Sequence, residues 1–189
     1  MTTDTSPSTT SMPESTTPES TTPESTTPEA PDAAAAPAVH QPSFADLGVR
    51  AEIVEALAEV GITHPFPIQA MTLPVAMQRH DIIGQAKTGT GKTLGFGIPV
   101  LEHVVGPGEP GFDDLPAPGK PQALVVVPTR ELCVQVANDL ATAGKRRSVR
   151  VVQVYGGRAY EPQVEALARG AEVVVGTPGR MIDLMNSRH

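Results

Sequence analysis

Residues 81–93 read DIIGQAKTGTGKT, and this stretch decides the fold. Its first five residues, Asp81–Gln85, predict a short apolar strand, and a helix is predicted over Lys92–Val104. Between them, Gly89 and Gly91 permit a tight turn in which successive backbone N–H groups point to one place. A strand, a glycine-rich turn and a helix that opens with Gly-Lys-Thr are typical of a phosphate-binding loop.

The residue types of this loop suit a nucleoside triphosphate bound with Mg²⁺. The helix N-terminus adds partial positive charge beside the turn. Lys92 would place its ammonium group on the β- and γ-phosphates, and the Thr93 hydroxyl would be a ligand of Mg²⁺, which prefers oxygen. The alternative, a glycine-rich turn with a surface lysine, fits a position between strand and helix less well. We therefore expect catalytic roles for Lys92 and Thr93, a metal ligand at Thr93, and nucleotide contacts from Ala86, Lys87, Thr88, Gly89, Thr90, Gly91, Lys92 and Thr93.

Strands and helices alternate along the rest of the chain. Further strands are predicted at Ala123–Val127, Arg150–Tyr155 and Glu172–Val175, and helices at Arg50–Val60, from Pro67 towards Met77, and at Glu131–Ala143, Glu161–Arg169 and Arg180–Asn186. Residues 106–120 contain four glycines and four prolines, which predicts a loop. Strands separated by helices favour an α/β fold, a parallel sheet with helices on both faces.

The first 43 residues differ from the remainder in composition. The pentad Ser-Thr-Thr-Pro-Glu occurs three times in succession from Ser15 to Glu29, and a stretch rich in proline and alanine follows. This composition cannot bury enough apolar surface to offset the entropy of ordering, so we expect a disordered tail over residues 1–43. A spacer or solubilising tail is the interpretation that its composition favours.

The net charge of −7 is unevenly distributed. Residues 1–43 carry six acidic and no basic side chains, residues 44–119 carry nine acidic and four basic ones, and residues 120–189 carry six acidic and ten basic ones. A phosphate-rich partner would therefore meet the last third of the chain, although an ordinary solvated surface is the alternative. A basic cluster there, Lys145, Arg146, Arg147 and Arg150, is interpreted as a solvated turn in preference to a nucleic-acid contact.

Several classes of protein are excluded or disfavoured. Cys133 is the single cysteine, so a disulfide within the chain and a site of several cysteine ligands are excluded. The sequence has no apolar run long enough to span a membrane and no secretory signal at its start, so no membrane partner is expected. These features together predict a cytoplasmic protein.

Five segments in the order of the chain resemble motifs of DEAD-box RNA helicases, which belong to helicase superfamily 2. The phosphate loop, with alanine first, resembles their motif I, and the others resemble the glutamine motif (61–69), motif Ia (128–132), the paired glycines (156–157) and motif Ib (177–180). The resemblance covers residues 44–189. It implies a RecA-like P-loop NTPase domain that is incomplete at its C-terminus, with a glutamine-motif region over 44–70 and a partial ATP-binding domain over 71–189.

The resemblance also implies roles for individual residues. Gln69 would pair with N6 and N7 of adenine and so select ATP, and Phe44 would stack on the adenine ring. Taken alone, Phe44 is better interpreted as a core residue that anchors the first helix. RNA would be held through phosphate and ribose, independently of base sequence, by Thr129, Arg130, Gly156, Gly157, Thr177 and Arg180. For the two arginines the alternative is helix capping or an ion pair.

The sequence departs from the family pattern at two positions. Phe66 stands where the family usually has threonine, which puts adenine affinity in question, and Cys133 stands where it usually has alanine. The sequence also contains neither an Asp-Glu-Ala-Asp nor a Ser-Ala-Thr motif. We therefore expect the 189-residue chain to bind ATP and RNA with negligible hydrolysis, and to be marginally stable because Ile82 and Ile83 lack the neighbouring strand.

Two other functions are compatible with the same residues. A DNA translocase of superfamily 2 would share the phosphate loop, but the glutamine motif favours an RNA helicase. A non-catalytic chain that binds RNA would share the predicted RNA contacts without turnover. The sequence does not predict which RNA is bound or which proteins are partners.

Overall fold

The computed structural model of the chain describes residues 41–187. The tail predicted for residues 1–43 lies outside the described residues except for its last three positions. In chain order the helices are α1 (Ala51–Ala58), α2 (Pro67–Ala76), α3 (Lys92–His103), α4 (Arg130–Gly144), α5 (Glu161–Ala168) and α6 (Pro178–Asn186). The strands are β1 (Ala123–Val126), β2 (Val151–Val154) and β3 (Val173–Gly176). No helix in this described part of the chain is long and apolar enough to cross a bilayer.

The three strands form one parallel sheet in the order β1-β3-β2. Val173 of β3 lies opposite Ala123 on one side and Val151 on the other, and the register continues without a bulge to Gly176. Each predicted strand of this sheet is confirmed to within two residues at either end. Because the strands are parallel, their carboxyl ends meet at one edge of the sheet, where the segments that follow them come together.

Helices cover both faces of the sheet, as predicted. Val173 and Val175 point to the larger core, which includes residues of α1, α3 and α4. Val174 points the other way and packs with Val154 and with Leu184 of α6, beside partly buried residues of α5. This alternation follows from the two-residue period of a strand and explains why a run of valines is buried on both sides.

The prediction of a strand at Asp81–Gln85 is wrong. These residues have no regular secondary structure and no strand pairing, and the described sheet contains only β1, β2 and β3. A strand is stabilised by a ladder of hydrogen bonds to a neighbour, and Asp81–Gln85 has none in the described structure. Ile83 is consequently fully exposed, and Ile82 is 38% exposed.

The interpretation of the basic cluster as a solvated turn holds for Lys145 and Arg146, which are exposed, and is wrong for Arg147, which is buried; each member of the cluster is paired with a carboxylate. Lys145 Nζ donates to Glu59 Oε2, and Arg146 donates from Nη1 to Glu55 Oε2 at 2.7 Å and from Nε to Glu59 Oε1 at 2.8 Å. Hydrogen bonds from Lys145 and Arg146 lower the pKa of Glu59. The first half of the cluster therefore ties the end of α4 to α1.

Arg147 and Arg150, the second half of the cluster, pair with groups nearer the interior of the protein. Arg147 is buried, and its guanidinium donates to the carbonyl oxygens of Leu101 and Val104 at the end of α3 and to both oxygens of Glu109. Arg150 pairs with the buried carboxylate of Glu172, and the hydrogen bond to Glu172 raises the pKa of Arg150. These side chains stabilise helix and strand ends.

Cys133 is a small buried residue of α4. Its thiol donates to the carbonyl oxygen of Val175 at 3.2 Å, and burial raises the pKa of the thiol. The thiolate is therefore disfavoured at neutral pH, and α4 packs closely on β3 at this point.

Candidate functional site

The predicted phosphate loop forms a tight turn that ends where α3 begins. Gly89 and Gly91 have φ angles of 82° and 76°, in the left-handed region that favours glycine. Thr90 Oγ1 donates to the carbonyl oxygen of Lys87 at 2.7 Å and closes the turn. The backbone N–H groups that follow Gly91 belong to the first turn of α3, where they have no partner within the helix. Loop and helix N-terminus together form a concave set of donors suited to an anion.

The ammonium group of Lys92 lies inside this turn. Its Nζ donates to the carbonyl oxygen of Ala86 and, at 3.0 Å, to that of Lys87. A cation held by neutral carbonyl oxygens within the loop is placed to exchange those partners for phosphate oxygens, to which its hydrogen bonds are stronger. Lys92 therefore lies where the sequence places it, six residues after the start of the loop.

Gln69 joins the glutamine motif to the phosphate loop. Its Oε1 accepts from the Phe66 N–H at 3.0 Å, and its Nε2 donates to the Gly91 carbonyl oxygen at 2.7 Å. The side chain is only 1% exposed. A side-chain amide has two donors and two acceptor lone pairs, so one of each is already used by the protein backbone. The adenine contact expected of Gln69 stays a prediction, and the contact with Gly91 is one that sequence reasoning missed.

The close approach of Gln69 explains why residue 91 is glycine. A Cβ built on Gly91 would lie 2.7 Å from Phe66 Cδ2 and 3.2 Å from Gln69 Cδ. A Cβ built on Gly89 would meet no atom within 4 Å, so Gly89 is required only for its backbone conformation. The loop and the start of α2 are thus packed against each other at one residue.

Phe44 is fully buried and belongs to the larger core, with Ile53 and Leu57 of α1. The structure therefore supports the interpretation of Phe44 as a core residue. In the structure its ring presents no face to a nucleotide, so the adenine-stacking role implied by the resemblance would require the ring to become accessible.

A second site lies at the carboxyl ends of the three strands. It is a pocket of about 520 Å³ lined by five of the six predicted RNA contacts, together with four residues for which the sequence predicted no contact, three of them within motifs Ia and Ib. The predicted five are Thr129, Arg130, Gly156, Thr177 and Arg180, and the other four are Pro128, Glu131, Gly179 and Asp183. Asp183 could have been found, because it lies three residues after Arg180 and hence on the same face of α6.

Arg180 carries donors that the protein does not satisfy. Its Nη2 donates to the carbonyl oxygen of Arg158 at 3.2 Å, and its Cζ lies 5.4 Å from the centre of the Tyr160 ring. Its Nε and Nη1 are buried and have no hydrogen-bond partner. Guanidinium N–H groups without acceptors are costly when buried, so a side-chain movement that brought these two donors to an acceptor would be favourable.

Arg130 and Thr129 take their positions from α4 and the paired glycines. The Thr129 hydroxyl accepts from the Leu132 N–H at 3.2 Å and caps α4. The guanidinium of Arg130 lies directly over Gly157, which has a φ angle of 76°. Gly157 does not line the pocket, but it gives Arg130 the room to lie there. The turn that carries these glycines is held by Gln163, whose amide bonds the N–H and carbonyl of Tyr155.

A glycine-rich loop that opens a helix, set beside a parallel sheet with helices on both faces, defines a P-loop nucleotide-binding domain. The model of the DEAD/DEAH box helicase family matches residues 66–189, and the chain belongs to that family. The match covers more than half of the chain and includes the phosphate loop and the second pocket.

Individual relatives agree with this assignment. The chain is 44% identical over 144 residues to the DEAD-box ATP-dependent RNA helicase CshA of Geobacillus kaustophilus, covering 76% of this chain and 29% of the relative. It is 44% identical over 143 residues to the ATP-dependent RNA helicase RhlB of Shewanella amazonensis, covering 76% of this chain and 32% of the relative. The chain thus spans about a third of the length of the curated relatives it matches.

Solved structures confirm the RecA-like fold that the resemblance implies. A DEAD box protein from Methanococcus jannaschii has a TM-score of 0.66 and 33% identity, and the match covers 77% of this chain and 37% of that one. A hypothetical ATP-dependent RNA helicase from Sulfolobus tokodaii has a TM-score of 0.60 and 36% identity, covering 72% of this chain and 36% of that one.

Proposed function

We propose that this chain is the ATP- and RNA-binding part of an RNA helicase that uses ATP to remodel RNA duplexes. The observation that carries the proposal is the pocket in which Thr129, Arg130, Gly156, Thr177 and Arg180 meet, with two buried N–H groups of Arg180 lacking an acceptor. Three separate segments of the chain contribute to it. A set of arginine, hydroxyl and glycine residues of this kind suits a sugar-phosphate backbone, and two of the curated relatives are named as RNA helicases.

The phosphate loop supplies the nucleotide half of the function. When a triphosphate enters, Lys92 would release the carbonyl oxygens of Ala86 and Lys87 and bind phosphate oxygens. The N–H groups at the start of α3 would bind the same phosphates. Bound Mg²⁺ would neutralise phosphate charge, and the Thr93 hydroxyl, next to Lys92, is the residue we propose as its ligand.

The second pocket would hold the RNA strand without reading its sequence. Arg130 and Arg180 offer planar forks of donors that match phosphate oxygens, and Thr177 offers a hydroxyl at close range. Contacts of this type carry no base information, so binding should be independent of sequence. They also release counterions, so affinity should fall steeply with salt.

Binding measured on single-residue variants tests the two halves separately. Lys92→Ala should lower the affinity of the chain for ADP and for ATP by about 100-fold or more. Lys120→Ala, in the exposed loop before β1, should leave both affinities unchanged. Arg180→Ala should lower the affinity for a fluorescent oligouridine by about 10-fold and should leave the affinity for nucleotides unchanged. Equal affinities of the parent chain, Lys92→Ala and Arg180→Ala for both ligands would refute the proposal.

Turnover is a separate property from binding. The prediction that the 189-residue chain hydrolyses ATP negligibly stays a prediction. RNA-stimulated release of phosphate by the purified chain, absent from Lys92→Ala, would contradict it.

A further inference from the structure

Gln163 is a buried residue of α5 whose side chain is bonded entirely to the protein backbone. It is 8% exposed and does not line the second pocket. Its Oε1 accepts from the Tyr155 N–H at 3.0 Å, and its Nε2 donates to the carbonyl oxygens of Tyr155 at 3.2 Å and of Ala159 at 3.0 Å. Both N–H groups and the oxygen of the amide are thus used, which fixes its orientation. Gln163 therefore ties both ends of the turn at residues 155–159 to one helix.

This turn sets the positions of both arginines in the second pocket. Gly157 leaves the space that the guanidinium of Arg130 occupies. The carbonyl oxygen of the next residue, Arg158, accepts from Arg180 Nη2 at 3.2 Å. Arg130 and Arg180 belong to α4 and α6, which are distant in the chain, but each of them rests on the backbone of the same turn.

The turn has few other hydrogen bonds to hold it. In the part of the chain that the structure describes, the backbone N–H groups of residues 156–159 donate to no acceptor of the protein. Two of these four residues, Gly156 and Gly157, are glycines, whose backbone has little preference for one conformation. The conformation of the turn consequently depends on the three hydrogen bonds from Gln163.

We propose that Gln163 is a positioning residue for RNA binding, whose amide holds the turn in the conformation that brings Arg130 and Arg180 together in the second pocket. The inference rests on the RNA-binding function proposed above. RNA affinity would depend on an amide outside the pocket, because loss of that amide would displace two arginine contacts to phosphate at once. Nucleotide affinity would not depend on it, since the phosphate loop shares no residue with the turn.

The test is Gln163→Met, which nearly keeps the size of the side chain but removes all three hydrogen bonds. We expect the affinity of the 189-residue chain for a fluorescent oligouridine to fall by about 10-fold to 100-fold. The slope of the logarithm of affinity against the logarithm of salt concentration should fall by the amount that corresponds to one or two phosphate contacts. The affinity for ADP, measured by titration calorimetry on the same sample, should be unchanged.

Gln122→Met is the matched control, because Gln122 makes the same kind of contact away from the second pocket. Its amide accepts from the Val105 N–H at 2.9 Å and donates to the Val105 carbonyl oxygen at 2.8 Å. Gln122→Met should also lower the free energy of unfolding, but it should leave the affinity for oligouridine and its salt dependence unchanged. An equal loss of RNA affinity in the two variants would overturn the inference, because lost stability would then explain both.

Coupling between substitutions separates a positioning role from a purely structural one. If Gln163 acts through Arg180, then Arg180→Ala should lower RNA affinity less in the Gln163→Met chain than in the parent chain. Fully additive losses, or an unchanged affinity for oligouridine in Gln163→Met, would overturn the inference. An unchanged affinity in Arg180→Ala alone would instead refute the RNA-binding function of the pocket.

Circular dichroism establishes whether each variant is folded. Gln163→Asn is the second variant, for use if Gln163→Met does not fold. It keeps an amide but withdraws it by one methylene, so it should lower the affinity for oligouridine in the same direction and leave the affinity for ADP unchanged. An RNA affinity equal to that of the parent chain would count against the inference here as well.

Discussion

The guanidinium of Arg130 occupies the space that a side chain at residue 157 would need. A Cβ built on Gly157 would lie 2.5 Å from Arg130 Cζ, and the φ angle of Gly157 is 76°. The adjacent Gly156 has a negative or extended φ angle, and a Cβ there would meet no protein atom within 4 Å. The two glycines therefore have different roles although they are neighbours in one motif.

Gly157→Ala should move Arg130 away from the pocket, because the methyl group and the guanidinium cannot share one place. We expect an affinity for oligouridine about 10-fold lower, comparable with the loss of one arginine contact to phosphate. The affinity is measured by fluorescence anisotropy at two salt concentrations. The slope of the logarithm of affinity against the logarithm of salt concentration should fall by the amount that corresponds to about one phosphate contact. Gly156→Ala is the control. If it lowers RNA affinity as much as Gly157→Ala does, the loss comes from contact of the added methyl group with RNA and not from displacement of Arg130.

Gly91→Ala should be more damaging than Gly89→Ala. Both glycines have left-handed backbone conformations, so each substitution should cost about 1–2 kcal/mol of stability from strain alone. Only at residue 91 would the methyl group also collide with Phe66 and Gln69 and break the hydrogen bond from Gln69 to the Gly91 carbonyl. Urea unfolding should show an additional loss of about 1–3 kcal/mol for Gly91→Ala. Equal losses for the two variants would contradict the packing of α2 on the loop.

Neutralising the ion pairs at the end of α4 should leave RNA binding unchanged. Lys145 and Arg146 bind Glu55 and Glu59, so their charges are not available to phosphate. The double variant Lys145→Ala, Arg146→Ala should bind oligouridine with the affinity and the salt dependence of the parent chain. Arg130→Ala should reduce both. A reduced salt dependence in the double variant would show that the cluster contacts RNA after all.

The sequence predicted local chemistry well because its signals are local. The turn at Gly89 and Gly91, the helix that begins at Lys92, and the valine-rich strands are each set by residues within a few positions of one another. Thr129, Gly156 and Thr177 were expected together only because of the resemblance, and the structure supplies the physical reason: each follows a parallel strand within three residues, so all three share one edge of the sheet.

The failures concern partners that are distant in the chain. Lys145 and Arg147 are held by Glu59 and Glu109, which lie 86 and 38 residues away, so no local pattern could reveal that the cluster is neutralised. The same holds for residues 81–85, whose sequence suits a strand but which have no ladder partner in the described sheet. A local preference for strand produces a strand only where the tertiary structure places a neighbouring strand beside it.

Arg147 should be the most important basic residue for stability, because it joins the end of α3, the loop before β1 and the start of β2. Its Nε and Nη2 donate to Glu109 at 2.6 and 2.5 Å, and its buried guanidinium also bonds two carbonyl oxygens of α3. Arg147→Met should lower the free energy of unfolding by about 3 kcal/mol, measured in urea at pH 7. Arg146→Met is the matched control at an exposed ion pair and should have a much smaller effect.

The same pair predicts a dependence on pH with a definite sign. Burial acts to raise the pKa of Glu109, but hydrogen bonds from Arg147 and from the Gly106 N–H outweigh it, so the pKa in the folded chain is below that of the unfolded chain. The stabilisation by the Glu109 carboxylate is therefore fully present above the unfolded pKa, about 4.3, and is lost as the pH falls through the lower folded pKa. Glu109→Gln cannot titrate, so the difference in unfolding free energy between parent and variant should be constant from pH 7 to 5 and shrink below pH 4. A difference that stays constant to pH 3 would show that the Glu109 carboxylate does not contribute through its charge.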